Sequence, residues 1–339
     1  MKKLPNKQFQ LLVPKLREKS FYQEQEQRPI FWHEYTLAQI EDAKASLTFI
    51  RDAVDACHSL NLEGQVGKPL TNQKVLAKAI LFCELLGLPE RQAQGWLELL
   101  GPFLGIYEQL DDWVIGEAYA RPEVVYILKQ VFDKTKTSDK ILSGDGTWLE
   151  TSRKQNYESQ KKGGELLVTI VDSREIVQAY DFEDTTEREA MRKMVLKIDG
   201  ESLRLDAGFI DRALTQKIQE LGMRPFIFPK KNTKLNGRIA WKYMYLSLLE
   251  DTQTWLKEYH QRSHTESFHS SFKRVFGILT KRRPTTQLSQ VIARIILHNR
   301  RKQAYFAKYS LNNQYPRKAV LFRIFFFIDF RGIIASDLV

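Results

Sequence analysis

A chain of 339 residues, 43% hydrophobic and 27% charged, has the composition of an ordinary globular protein and the length for two domains. Its net charge of +11 is unevenly spread: residues 224–320 hold 20 Lys/Arg against only Glu250, Asp251, Glu258 and Glu266, a local net of +16 that leaves −5 elsewhere. So concentrated a basic excess points to a polyanion partner, and by itself suits an RNA-binding or ribosomal protein equally well. Only two cysteines, Cys57 and Cys83, are present, which argues against a disulfide framework or thiolate metal centre and suits a reducing cytosol.

Residues 1–30 are polar and Gln/Lys-rich, and read as a loose arm without the apolar run of a signal peptide. Helical periodicity follows over 35–58 (Ile40, Ala43, Leu47, Ile50, Val54), ending near the breaker region 61–67. A second helix spans 70–86, stopped by Gly87, and a third spans 89–100, with Pro89 at its start and Gly101 past its end. The pair at 71–100 has the layout of a helix-turn-helix, and equally of a plain helical hairpin. Another helix is expected over 122–132.

Past a short polar linker at 134–140 the pattern changes to strands. Strands are predicted over 141–149, 166–171 and 175–182, with Asp172-Ser173-Arg174 as the hairpin turn. Asp184 is placed to cap a helix running to about 197, with Glu187 and Glu189 in its first turn. A strand over 202–205 ends at Asp206, a helix over 210–221 stops at Gly222, and a short strand over 225–228 stops at Pro229. Long helices over 241–258, 254–280 and 286–305 follow, the first two possible as one. The order β-β-β-α-β-α-β is that of an α/β ribonuclease-H-like domain, a mixed five-stranded sheet flanked by helices, in which the first and fourth strands are neighbours. The apolar stretch 319–330 is too short to span a membrane and contains Arg323 and Asp329. The expected division is an all-α N-terminal DNA-binding region over 1–138, a catalytic domain over 139–312, and a tail over 313–339 that fits no element.

Within the segment 254–280, Tyr259, Arg262, Glu266 and Lys273 fall on a stripe about 60° wide if the segment is one helix. Phe268, Phe272, Val275 and Leu279 take the opposite, core-facing side. A carboxylate flanked by cations and a phenol suits a divalent metal held beside a phosphate backbone, although a solvated face with an Arg262/Glu266 pair has the same pattern. Asp145, in Ser143-Gly144-Asp145-Gly146-Thr147, and Asp206, closing Leu203-Arg204-Leu205, are carboxylates among apolar neighbours. Unpaired, such charges cost several kcal/mol, roughly, and a metal is an efficient compensator. Asp145 would otherwise be a turn residue and Asp206 a helix cap.

With these residues the chain resembles the DDE transposases of bacterial and archaeal insertion sequences. Gly144-Asp145-Gly146-Thr147 is similar to the strand of the first Asp, and Leu205-Asp206-Ala207-Gly208-Phe209, with Pro225-Phe226-Ile227-Phe228-Pro229-Lys230 after it, to the second-Asp segment. The Tyr-x2-Arg-x3-Glu-x6-Lys signature is matched at Tyr259, Arg262, Glu266 and Lys273. The resemblance, over roughly 70–310, implies a catalytic triad Asp145, Asp206 and Glu266 holding two Mg²⁺ ions (or Mn²⁺), with Tyr259, Arg262 and Lys273 on DNA. It further implies metal-dependent cleavage at transposon ends and 3′-OH strand transfer into target DNA. The partner would be double-stranded DNA, the protein a homodimer on it, without a membrane, in the cytoplasm and associated with the nucleoid. Lys230 and Lys231, with Lys234 and Arg238, form a loop cluster that can follow a DNA backbone. Only 59 residues separate Asp206 from Glu266, so any inserted subdomain is small, and a base-flipping aromatic would have to be Trp241 or Trp255, for which core packing is the simpler use. The alternatives are a catalytically silent, transposase-derived DNA-binding protein and a Mg²⁺-dependent nuclease that only hydrolyses.

Overall fold

The computed structural model describes residues 5–16, 18, 31–61, 71–152, 164–183 and 185–314. The region 61–67 beyond Asn61, Asp184 and the tail from 315 onward lie outside the described residues. The helix for which Asp184 is the expected cap is capped instead by Thr186, whose hydroxyl accepts from Glu189 N while the Glu189 side chain accepts from the Thr186 backbone. The element order is α1 (Asn6–Lys15), α2 (Trp32–Asp55), α3 (Gln73–Leu86), α4 (Glu90–Leu100), α5 (Asp112–Ala118), α6 (Pro122–Lys134), β1 (Ile141–Leu149), β2 (Glu165–Val171), β3 (Val177–Asp181) and α7 (Glu187–Met194). There follow β4 (Ser202–Leu205), α8 (Arg212–Glu220), β5 (Arg224–Ile227), α9 (Ile239–Glu250), α10 (Thr252–His260), α11 (Ser263–Phe276) and α12 (Pro284–Gln314). Among the described residues no helix is long and apolar enough to cross a membrane.

The five strands form one mixed sheet in the order β3-β2-β1-β4-β5. β1 pairs antiparallel with β2 and parallel with β4, so the first and fourth strands are neighbours as the element order predicts. The β2–β3 hairpin turns on Asp172, whose Oδ1 accepts from the backbone N–H of Arg174 and Ile176 at 2.9 and 2.8 Å. That side-chain-to-backbone bonding sets the turn and carries Glu175 into the left-handed region at φ 64°. Period-two alternation then sorts β2: Leu167 and Val171 enter one core, Val168 and Ile170 the other.

The first core joins the N-terminal helices to α11 and α12. α3 is its centre, buried along the whole run Val75–Glu84, which is why its apolar residues show no single face. Glu84 is buried on α3 and meets Arg294 of α12 at 2.7 Å, while Tyr119 and Gln290 donate to its other oxygen, each at 2.9 Å. The second core gathers Leu142, Leu203 and Leu205 of the sheet with α7, α8, α9, α10 and α1.

Three further expectations need correction. Residues 6–15 are a helix rather than part of a loose arm: Phe9, Val13 and Leu16 are buried, the Phe9 and Tyr245 rings are 5.0 Å apart, and Asn6 Oδ1 accepts from Leu235 N at 2.8 Å. The spacing of these three apolar residues is helical, but the surrounding Gln and Lys mask it. The segment 254–280 is two helices, broken at Gln261 and Arg262, and Leu279 bridges to Thr151 beyond the end of α11 instead of lying on a helix face. Val275 is half exposed and does not join the core with Phe268 and Phe272. In the hairpin of α3 and α4, the outward face of α4 carries Trp96 and Leu99, with Glu90, Arg91 and Glu98 as its only charges. Two helices joined by a short turn are common to both layouts expected of 71–100, and the exposed face of α4 is apolar rather than basic.

Candidate active site

Asp145 lies in the middle of β1, directly opposite Thr169 on β2. Asp206 follows the last residue of β4, and the register Gly144↔Leu205 sets it beside Asp145. It also begins the short turn Ala207–Phe209, its carboxylate accepting from Gly208 N at 3.5 Å. The cap and the site position therefore coincide. Glu266 stands in the first turn of α11, its side chain 57% exposed.

α11 is fixed on the sheet by two buried bonds. Thr265 Oγ1 donates to Ser143 Oγ at 2.7 Å, and His269 Nε2 is 3.0 Å from Thr169 Oγ1. Ser143, Asp145 and Thr169 share one face of the sheet by alternation and register, so these anchors present the start of α11 to Asp145. Arg262, at the N-cap of α11, uses that placement. Its guanidinium donates to Asp145 Oδ2 at 3.0 Å and, through its other terminal N–H₂, to Glu266 Oε1.

Burial pushes the Asp145 carboxyl up to about 6. Arg262 and the Gly146 N–H, which donates to Asp145 Oδ1 at 2.9 Å, oppose the shift, while Asp206 and Glu187 add to it by like-charge repulsion. Burial works against the charge on Arg262, but Tyr259, Glu266, Asp145 and Asp206 together hold it more firmly protonated. One guanidinium thus answers the whole set of carboxylates.

Tyr259 is buried at the end of α10, stacked on Trp255 with centroids 5.5 Å apart and against Phe228 at 5.1 Å. Burial raises its phenol, with Arg262 pulling the other way. Lys273 is exposed two turns beyond Glu266 on the same face of α11. Lys230 and Lys231 are exposed on the loop after β5, at the end of the sheet where Asp206 leaves β4. Trp241 and Trp255 are both buried, and Trp241 Nε1 donates to Lys234 O at 2.8 Å, so both serve packing.

Sequence reasoning missed two supports of the site. Glu187, noted only as a first-turn acid, lies so close to Gly146 that a Cβ there would be 2.6 Å from its Oε1. Gly144 likewise leaves room for Met191 of α7, which a Cβ would meet at 2.7 Å. The glycines around Asp145 thus admit α7 to the sheet. Arg204 is the second: fully buried on β4, it donates to the Glu258 carboxylate and main-chain carbonyl, tying β4 to α10.

The donor set is one that Mg²⁺ accepts. The acids facing Arg262 are all carboxylates, both cysteines are buried in the helical core, and burial drops the His269 imidazole to about 4, leaving it neutral on Thr169. Asp145 already binds a cationic group in a partly buried position, so positive charge is stabilised there. As the side chains stand, the guanidinium lies between Asp145 and Glu266, and among the described residues no three His, Cys, Asp or Glu side chains are grouped to hold one ion.

No curated protein and no solved structure matches the chain. Residues 136–300, spanning β1 to β5 and reaching into α12, match the family model described as Transposase DDE domain. Over those residues, which hold the five-stranded mixed sheet, the chain carries a transposase DDE domain.

Proposed function

We propose that this protein is an active transposase, which cleaves a phosphodiester at the ends of its element and joins the freed 3′-OH to target DNA. The observation that carries the reading is the meeting of Asp145, beside Asp206 on the neighbouring strand, with Glu266 through a shared Arg262. Asp145, Asp206 and Glu266 would hold two Mg²⁺ ions, for which Mn²⁺ can substitute. Such ions activate the attacking oxygen and stabilise the leaving oxygen of an in-line displacement.

The chain's own groups bind and orient the DNA. Arg262 offers a planar fork matched to phosphate oxygens, and Lys273, further along the same helix face, a second cation. Lys230 and Lys231 extend the cationic track past the end of the sheet. Tyr259, buried beside Arg262, acts by shaping the joint from which that arginine projects. Double-stranded DNA is the partner that the +16 of residues 224–320 favours, and a homodimer on two ends the assembly that the family implies.

The test is a reaction with DNA flanking the chain's own coding region, where short inverted repeats should lie. With Mg²⁺, the chain should nick at the repeat boundary and join pre-cut ends to a second duplex. Hydrolysis without joining would favour a nuclease. Binding with no nick in Mg²⁺ or Mn²⁺ would favour a silent DNA-binding protein.

A further inference from the structure

Arg262 stands where positive charge from elsewhere must compete with it. Its side chain is 18% exposed and its guanidinium is engaged on both sides, by Asp145 and by Glu266. An arginine does not lose its charge at any ordinary pH, so it yields this position only by moving. The local build permits that movement. Arg262 sits at the joint between α10 and α11, while α11 is held on the sheet by Thr265 on Ser143 and His269 on Thr169, neither of which involves Arg262. The side chain can therefore leave while Glu266 stays in place.

A cation bridging Asp145 and Glu266 would have to displace both of these bonds. Released into water, the guanidinium loses two charge-assisted hydrogen bonds. Released onto a phosphate, it replaces them with the same forked geometry. The two events favour each other, and such coupling is reciprocal.

We propose that Arg262 is an internal counter-ion that occupies the carboxylate site of the free protein and is drawn away by a DNA phosphate, so that divalent metal and DNA bind cooperatively. The inference rests on the reading of Asp145 and Glu266 as metal ligands. It adds a consequence for the free protein: metal affinity is held down until DNA is present, which restrains cleavage away from a bound end.

The test is Mn²⁺ binding to the full chain without DNA, followed by electron paramagnetic resonance of the free ion. Arg262→Gln should raise Mn²⁺ affinity by about fivefold or more, the lower end of typical coupling between sites. Arg188→Gln is the control for a general loss of positive charge. Arg188 adjoins Glu187 and donates to Gly208 O at 2.9 Å but touches neither Asp145 nor Glu266, and its removal should have a far smaller effect. A duplex end should raise the affinity of the wild type more than that of Arg262→Gln. Arg262→Lys keeps the charge and loses the planar fork, so it should bind Mn²⁺ with intermediate affinity, and it carries the test if the Gln variant does not fold. Wild-type affinity in both Arg262 variants, or an equal gain in Arg188→Gln, would overturn the counter-ion. No Mn²⁺ binding by any of these proteins, with or without DNA, would overturn the metal-ligand reading on which it stands.

Discussion

Asp145→Asn should make the metal-free protein more stable, by an amount that depends on pH. The folded carboxyl keeps its proton up to about pH 6, while the unfolded one gives it up near the ordinary carboxyl value of 3.8. The folded state therefore binds the extra proton between those values, and stability falls as pH rises through that window. The difference of about two pKa units corresponds to about 3 kcal/mol at pH 8, falling to about half of that at pH 5. Asparagine resembles the neutral carboxyl, so the variant escapes the cost. With an unfolding entropy of about 2 cal/mol/K per residue, the gain amounts to about 4 °C in Tm at pH 8 and about 2 °C at pH 5. Thermal melts of both proteins in EDTA, followed by circular dichroism at the two pH values, measure it. Added Mg²⁺ should narrow the gap by stabilising the wild type alone. An Asn variant less stable at pH 8, or an advantage independent of pH, would refute the argument that Asp145 carries a partly buried charge held in reserve for a cation.

Glu266→Gln should abolish cleavage with end binding intact or slightly tighter, because it removes a carboxylate's charge and keeps its shape; near wild-type cleavage in Mg²⁺ would remove Glu266 from the ligand set. Lys273→Ala should weaken binding to end and random duplexes alike and lower the log–log salt slope by about 0.9, the value of one phosphate contact; an unchanged slope would turn that face of α11 away from DNA. Arg294→Ala should destabilise the fold by about 3–5 kcal/mol, since it leaves the buried Glu84 carboxylate without its cation; denaturant melts showing less than about 1 kcal/mol would mean that water reaches the pair.

The sheet was readable because each strand announces itself locally. The run 141–149 matches β1 at both ends, the Asp172 turn marks the hairpin, and the alternation of β and α segments orders the parallel strands. Helices were readable where one face is apolar, as over α6, and unreadable where tertiary packing decides. α1 is held by Tyr245 and Leu235, more than two hundred residues away, and nothing within residues 6–15 reports those partners. The break at Gln261–Arg262 is of the same kind: the local sequence allows a continuous helix, while the anchors from Thr265 and His269 fix where α11 must begin.

The site divides along the same line. Asp145, Asp206 and Glu266 stand out as carboxylates in informative places, two of them among apolar neighbours. Arg262 stands out as a cation near Glu266, but its bond to Asp145 spans 117 positions and exists only once α11 has docked on β1. Glu187 reaches Gly146 solely through the packing of α7 on the sheet, which no spacing in the chain encodes. Residue types reveal the chemistry available, and the third dimension decides which charges meet.

The most direct measurement is anomalous scattering from Mn²⁺ in crystals of the protein bound to a duplex end. Mn²⁺ density should touch the carboxylates of Asp145, Asp206 and Glu266, with Arg262 turned onto a phosphate. Mn²⁺ bound elsewhere, or density that leaves out Asp145 or Glu266 while Arg262 still joins them, would contradict that arrangement.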